Sequence, residues 1–207
     1  PPGSYLHDEI KHLNGTLGSL TYVLLNWGIL SSHLRDYTAV CTTELGRANK
    51  LSCEFSRSNI EMIALSIDSL EDHRGWTKVS ASGCAFLFPI IADSHRKLAV
   101  GLAMLDHDEK DKDGIPLTAT VDFSIGPDKR LKLSLLYLPT MAWNFDEILR
   151  AVDGQQLTAQ NQLATPADWQ VMCVFIDCSC RYLSAGYVCR VMYLRPLFSS
   201  DRYFAAP

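Results

Sequence analysis

The chain lacks any apolar run near the ~18 residues of a membrane-spanning helix. The longest candidates, residues 20–30 and 86–92, are broken by polar residues or a proline. Positive charge is not in excess either: 19 Lys and Arg stand against 23 Asp and Glu, for a net charge of −4. Neither a nucleic acid nor an anionic membrane surface is therefore an expected partner. No phosphate loop, dinucleotide fingerprint, basic stripe, internal repeat or low-complexity tract is present. The start, Pro1-Pro2-Gly3-Ser4, has no basic n-region and no apolar h-region. No secretory signal is expected from it, and the expected location is cytoplasmic. A disulfide framework is not indicated: the seven cysteines, Cys41, Cys53, Cys84, Cys173, Cys178, Cys180 and Cys189, are odd in number and read as reduced thiols. The last four are spaced by four, one and eight residues, which is not the paired pattern of a zinc site. No metal is expected.

What remains is an ordinary globular composition, 47% hydrophobic and 20% charged over 207 residues. A chain of that length buries a core without covalent or metal staples. Residues 1–19 read as loop, with a short strand near residues 20–25. Residues 26–32 and 60–67 are apolar runs that fit buried strands. Between them, Leu45, Ala48, Leu51 and Phe55 recur at helical spacing, predicting a helix over 41–55 with Thr38 as N-cap. Asp68 and Ser69 cap a helix to about residue 79; residues 86–92 are strand-like around Pro89. Asp93 and Ser94 cap a helix to Met104. The charged run 106–113 reads as a solvated loop. Residues 117–125 and 131–137 flank Gly126-Pro127-Asp128-Lys129, a hairpin signal. A short helix covers 144–152. Strands alternating with helices predict an α/β fold whose sheet is mainly parallel, with an antiparallel hairpin at its edge. After Trp169 helix and strand periods are both poor. Residues 1–169 are thus read as one domain and 170–207 as a small tail.

The sharpest chemical feature is Cys41. It falls in the first turn of the predicted helix, where unpaired N–H groups and the helix dipole favour an anion. A thiolate is such an anion, so an accessible thiol with a pKa below the ~8.5 of free cysteine is expected. Thr38 lies one turn before it, and His33 and Arg35 supply nearby donors. Such a thiol is a nucleophile or redox centre. The other reading of a cysteine at a helix start is a small buried hydrophobe.

Trp27-Gly28-Ile29-Leu30, Ser32-His33, Arg35-Asp36-Tyr37-Thr38 and Val40-Cys41-Thr42-Thr43-Glu44-Leu45 resemble the active-site segment of peroxiredoxins, most nearly the one-cysteine (peroxiredoxin-6) subfamily. The resemblance continues through 63–69, Asp72-His73, Trp76, Phe88-Pro89-Ile90-Ile91, the 126–129 turn, 144–150, Leu157-Thr158-Ala159 and 164–169. It implies a thioredoxin-like fold, a central mixed sheet flanked by helices. It implies reduction of hydrogen peroxide and organic hydroperoxides: the Cys41 thiolate attacks the O–O bond and becomes a sulfenic acid. That acid would be returned by an external thiol such as glutathione, with no other cofactor. Thr38 and His33 fall on the family's active-site threonine and histidine, and Thr38 and Arg35 on the peroxide-binding side. A homodimer is a further implication.

Several residues depart from that pattern. The family has proline at the positions of Leu34 and Ala39. Its two active-site arginines align with Thr120 and Trp143. A planar guanidinium binds a peroxide oxygen and holds a thiolate charged, so their loss predicts slower turnover. The alternative is a catalytically weakened homologue that serves as a binding protein. The subfamily's phospholipase elbow places Asn26 where a serine is needed, and residues 20–23 offer no histidine; Asp128 alone does no acyl chemistry. No phospholipase activity is expected. His73 and Trp76 are read as packing residues.

Overall fold

The computed structural model describes residues 26–80, 86–161 and 163–170, and the backbone of short strands at 10–12, 15–17, 175–177, 182–183, 186–187 and 191–192. The expected strand at 20–25 and the thiols of Cys84, Cys173, Cys178, Cys180 and Cys189 lie outside the described residues. The chain divides into two compact units, 1–145 and 146–207.

The first unit is built on a sheet of seven strands in the order β2-β1-β5-β4-β3-β8-β9. Inside it lies β3 (Trp27–Ser32), every residue of which is buried. A strand buried on both faces reads as a continuous apolar run rather than an alternation. β3 runs parallel to β4 (Ile60–Ser66), with Ile29 opposite Met62, and β4 runs parallel to β5 (Ile90–Ala92). On the other side β8 (Thr120–Ile125) is antiparallel to β3, and β9 (Leu131–Tyr137) is antiparallel to β8. β1 (Ile10–His12) and β2 (Gly15–Leu17) form a hairpin against β5, where the sequence read only loop. The parallel core is thus three strands wide, and antiparallel pairs flank it on both sides, rather than a mainly parallel sheet with one hairpin edge. Leu30, Ile63, Leu65, Ile91, Leu98, Met104 and Val121 form the core on one face.

Helix α1 (Ala39–Lys50) follows β3, and α2 (Ser52–Arg57) follows α1, so the single helix predicted over 41–55 is broken at Leu51. Ser52 Oγ bonds Asn49 O at 2.8 Å across that break. Helix α3 (Leu70–Ser80) begins as predicted. Asp72 N–H donates to Ser69 Oγ at 3.1 Å and Ser69 N–H returns to Asp72 Oδ2 at 3.2 Å, a capping box. Helix α4 (Lys97–Gly101) is shorter than predicted, because Arg96 and Ala103 take positive φ at 56° and 54°. Asp93 Oδ2 still accepts the Ala99 N–H at 2.8 Å. The charged run read as a loop is instead β6 (Leu105–Lys110), paired with β7 (Pro116–Thr118). Pairing uses the backbone alone and leaves the acidic side chains in water, so the side-chain pattern carries no strand signal.

The second unit opens within helix α5 (Phe145–Gln160), which runs eight residues past its predicted end. Arg150 grips Glu147 through Nε and Nη2 at 2.6 and 2.7 Å and donates to Trp169 O at 3.2 Å. Gly154 admits the Trp169 ring: a Cβ there would lie 3.3 Å from it. Short strands β10 (Leu163–Ala164), β11 (Phe175–Asp177) and β14 (Val191–Met192) form a small sheet, and β12 (Tyr182–Leu183) pairs with β13 (Gly186–Tyr187). Among the described residues no helix is long and apolar enough to cross a membrane.

Candidate active site

The loop 33–38 leaves the carboxyl end of β3, the place where open α/β sheets form their clefts. His33 N–H still pairs with Leu65 O at 3.0 Å, and Tyr37 turns the chain with φ 60°. Cys41 is the third residue of α1 and is only 3% exposed. The side chain of Thr38 and the backbone N–H groups of Arg35 and Leu34 hydrogen-bond its sulfur. Contrary to the sequence expectation, the thiol is neither open nor acidified. Burial pushes its pKa above the ordinary thiol range and the charge of Glu44 adds to this, while the Thr38, Arg35 and Leu34 bonds only partly offset the rise. Desolvation of an anion outweighs one helix start and a few donors.

Thr38 stands at the N-cap with extended backbone, φ −75° and ψ 147°, yet its side chain makes no cap bond. Oγ1 donates instead to Arg35 O at 3.0 Å. With its proton there, the hydroxyl can only accept from the thiol; a thiolate requires that proton to turn to sulfur. Arg35 is half-exposed, and its guanidinium faces Asp68 Oδ1 at 3.4 Å, so its backbone rather than its side chain meets Cys41. Leu34 packs against the core.

His33 is fully buried and belongs to a network the sequence did not suggest. Its Nε2 lies 2.9 Å from Asp36 Oδ1, and His73 Nδ1 lies 2.5 Å from Asp36 Oδ2. His73 Nε2 reaches Ile91 O at 3.3 Å, and the Trp76 ring lies 5.2 Å from that of His33. Burial raises the Asp36 pKa, but the two imidazole bonds and their charges more than reverse it, and the carboxyl ends below its ordinary value. Asp68 Oδ2 takes the Asp36 backbone N–H at 2.8 Å and the Ser66 hydroxyl at 3.0 Å. His33, Asp36 and Asp68 carry ligand-type atoms within 4.8 Å of one another. Those atoms serve the hydrogen bonds just named, which makes the group a structural network. Trp76 Nε1 donates to Thr42 Oγ1 at 3.1 Å, joining α3 to α1 one residue after Cys41.

On the other side of Cys41 the groups are acidic. Glu44 is 2% exposed and accepts the Trp143 backbone N–H on Oε1 at 3.1 Å, while Oε2 has no partner among the described residues. Burial raises its pKa, and the opposing effects of the Trp143 N–H and the Cys41 thiol do not cancel the rise. Trp143 is buried with its ring edge-on to Phe145 at 5.8 Å, and its Nε1 finds no partner among the described residues. Thr120 is buried at the start of β8. Asp122, two residues on, accepts the Ser31 hydroxyl on Oδ1 while Oδ2 accepts nothing among the described residues. Burial, with a contribution from the charge of Glu44, lifts its pKa to about 7 despite the Ser31 bond. Of these residues only Glu44 had a local signal, the i, i+3 spacing from Cys41 on one helix face. Cys53 is exposed and borders a shallow groove of about 670 Å³ with Phe55, Arg57, Met62 and Leu87.

Comparison with known proteins agrees with this architecture. Residues 9–133 match the AhpC/TSA family. The chain is 55% identical over 180 residues to peroxiredoxin-6 of Gallus gallus, covering 82% of this chain and 80% of that one. A crystal structure of the peroxiredoxin 6 of Arenicola marina superposes with a TM-score of 0.78 at 46% identity, over 82% of this chain and 79% of that one. A yeast mitochondrial 1-Cys peroxiredoxin, described by its thiol resolving mechanism via glutathione/thioredoxin systems, superposes at 0.77 with 29% identity, over 89% and 95%. The chain therefore belongs to the AhpC/TSA family of peroxiredoxins, with the thioredoxin-like fold of that family and the one-cysteine, peroxiredoxin-6 group as its kin.

Proposed function

We propose that this chain is a thiol-dependent peroxidase whose nucleophile is Cys41. The observation that carries the reading is the placement of that sulfur. It sits at the start of α1, at the carboxyl end of β3, and receives Thr38 and two backbone N–H groups. In the reaction the Cys41 thiolate attacks one oxygen of a hydroperoxide, the O–O bond breaks, and the sulfur becomes a sulfenic acid while water or an alcohol leaves. Thr38 orients the peroxide and bonds the thiolate. Arg35 lends its backbone N–H to the sulfur and its charge to the entrance. His33, held by Asp36, fixes the loop that carries both.

An external thiol returns the sulfenic acid to the thiol; glutathione is a suitable donor, since the yeast 1-Cys relative is resolved via glutathione/thioredoxin systems. No cofactor enters this scheme. Burial holds the thiol pKa above its ordinary value, so a smaller share of Cys41 is thiolate at neutral pH than in a free cysteine, which slows turnover. The edge strand β9 carries exposed Leu131 and Leu136, with exposed Leu138 just past its end, which favours pairing with a second copy of the chain. Motif matches running to Trp169 support one catalytic domain over 1–169 with 170–207 as a tail. The reduced thiols fit a cytoplasmic setting. The test is peroxide consumption with glutathione as reductant. Cys41→Ser should abolish it while leaving the circular dichroism spectrum unchanged; a variant that still turns over would reject Cys41.

A further inference from the structure

Tyr37 lies in the loop that leads into α1, and its φ of 60° is left-handed. A bulky side chain takes that region at a cost and keeps it only where the surroundings impose it. The core does not impose it, since Tyr37 is 59% exposed. Helix α3 does. The Asp36 carboxyl, one residue earlier, meets His73 Nδ1 at 2.5 Å. The Tyr37 hydroxyl donates to Asp72 O at 3.4 Å and rests on Gly75. A Cβ at Gly75 would overlap that hydroxyl oxygen, while the ring carbon Cζ would lie 3.7 Å away, in ordinary contact. Gly75 stands inside a helix, where alanine is the better former and no positive φ calls for glycine. What it supplies is room for the phenol oxygen. One residue after Tyr37, Thr38 O accepts the Thr42 N–H at 3.0 Å and the Thr42 hydroxyl at 2.6 Å. Thr42 Oγ1 accepts in turn from Trp76 Nε1 at 3.1 Å. Asp72, His73, Gly75 and Trp76 share one face of α3 by their spacing. That face therefore holds the chain just before Thr38 and just after Cys41.

We propose that Tyr37 is a positioning residue of the peroxidase: its phenol, seated over Gly75, holds residue 37 at positive φ and so keeps the Thr38 hydroxyl facing the peroxide. The proposal rests on the peroxidase reading of Cys41. Once unseated, Tyr37 relaxes to the negative φ that its side chain prefers. A rotation there turns Thr38 relative to Arg35, and the bond from Thr38 Oγ1 to Arg35 O at 3.0 Å breaks. Trp76 still holds α1 through Thr42, so the change falls on the cap residue and not on the sulfur. The peroxide loses an oriented hydroxyl while Cys41 keeps its burial. Misplacing a group that orients a reactant slows the reaction without touching the nucleophile.

The test is a ratio of two rates at Cys41, both followed by mass spectrometry: sulfenic acid formation with hydrogen peroxide, and alkylation by iodoacetamide. Alkylation reports the access and acidity of the thiol and needs no hydroxyl to orient a peroxide. Gly75→Ala should unseat the tyrosine and lower the ratio about tenfold, the share of one hydrogen bond. Adding Tyr37→Phe removes the colliding oxygen, so the double variant should return to near the native ratio. Tyr37→Gly accepts a φ of 60° without strain but has no ring to seat. It should be as slow as Gly75→Ala, and it decides the matter if Gly75→Ala does not fold. A native ratio in Gly75→Ala or in Tyr37→Gly overturns the proposal. A double variant as slow as Gly75→Ala overturns it too. So do peroxide and alkylation rates that fall together, because the thiol itself has then changed. A native chain whose Cys41 forms no sulfenic acid overturns the peroxidase reading instead.

Discussion

Asp36 and Asp122 are both buried, 5% and 3% exposed, and both lie near the end of the β3–β8 pairing where Ser32 stands opposite Val121, yet their charges behave oppositely. Asp36 sits between two imidazoles and its pKa ends below the ordinary carboxylate value. Asp122 has one hydroxyl, and burial lifts it to about 7. Burial penalises the charged form in both; the partners decide the outcome. Cys41 and Glu44 fall on the Asp122 side of this division, with raised pKa values and backbone or hydroxyl donors in place of cations. The resemblance places arginines at Thr120 and Trp143, and the structure puts a small hydroxyl and an indole there. The cation-poor character of the reactive side follows from those two positions.

Three variants probe the contrast. Asp36→Asn removes the charge from the imidazole side. Stripping one partner from a buried charge network costs about 3–5 kcal/mol, to be read by urea unfolding at pH 7. Because the Asp36 pKa is lowered on folding, its contribution is full above the ordinary value of 3.8 and fades as pH falls through the folded value. The variant's loss should shrink in acid, and a pH-independent loss would contradict the charged pairing.

Asp122→Asn works in the opposite sense. A carboxyl whose pKa rises from 3.8 to about 7 stabilises the fold fully below 3.8 and loses that contribution as pH climbs to about 7. At about 1.4 kcal/mol per pH unit, the neutral amide should gain up to about 4 kcal/mol at pH 8. The gain should vanish near pH 4, and thermal unfolding at the two pH values checks the difference.

Thr120→Arg combined with Trp143→Arg gives the reactive side the cation it lacks. A hydrogen bond to a charged group is worth about 1.5–3 kcal/mol, so peroxide oxidation of Cys41 should quicken about ten- to a hundredfold. An unchanged rate, measured by stopped flow on the folded variant, would place the cause elsewhere.

Much of the fold was legible because its signals are local. β3 and β4 are apolar runs, the 126–129 turn is marked by Gly, Pro and Asp, and Asp68 and Ser69 mark the start of α3. β6 was not legible, since its side chains are charged and solvated and only backbone pairing makes it a strand. The break at Leu51 is a tertiary outcome that periodicity does not record. At the candidate site, Cys41, Thr38 and His33 are proposed through their motif. The partners that set their chemistry were not legible, because they arrive from far along the chain. His73 reaches Asp36 across 37 residues and Asp122 reaches Ser31 across 91. The helix start at Cys41 was read correctly, but the burial that overrides its effect on the thiol belongs to the packed state.

The most direct test sets the buried thiol against the exposed one. The reduced protein is mixed with stoichiometric hydrogen peroxide and each cysteine is followed by site-resolved mass spectrometry. Cys41 should form sulfenic acid faster than Cys53 despite being far less exposed, because only Cys41 has Thr38, Glu44 and the loop N–H groups around its sulfur. Oxidation at Cys41 no faster than at Cys53 would contradict the account.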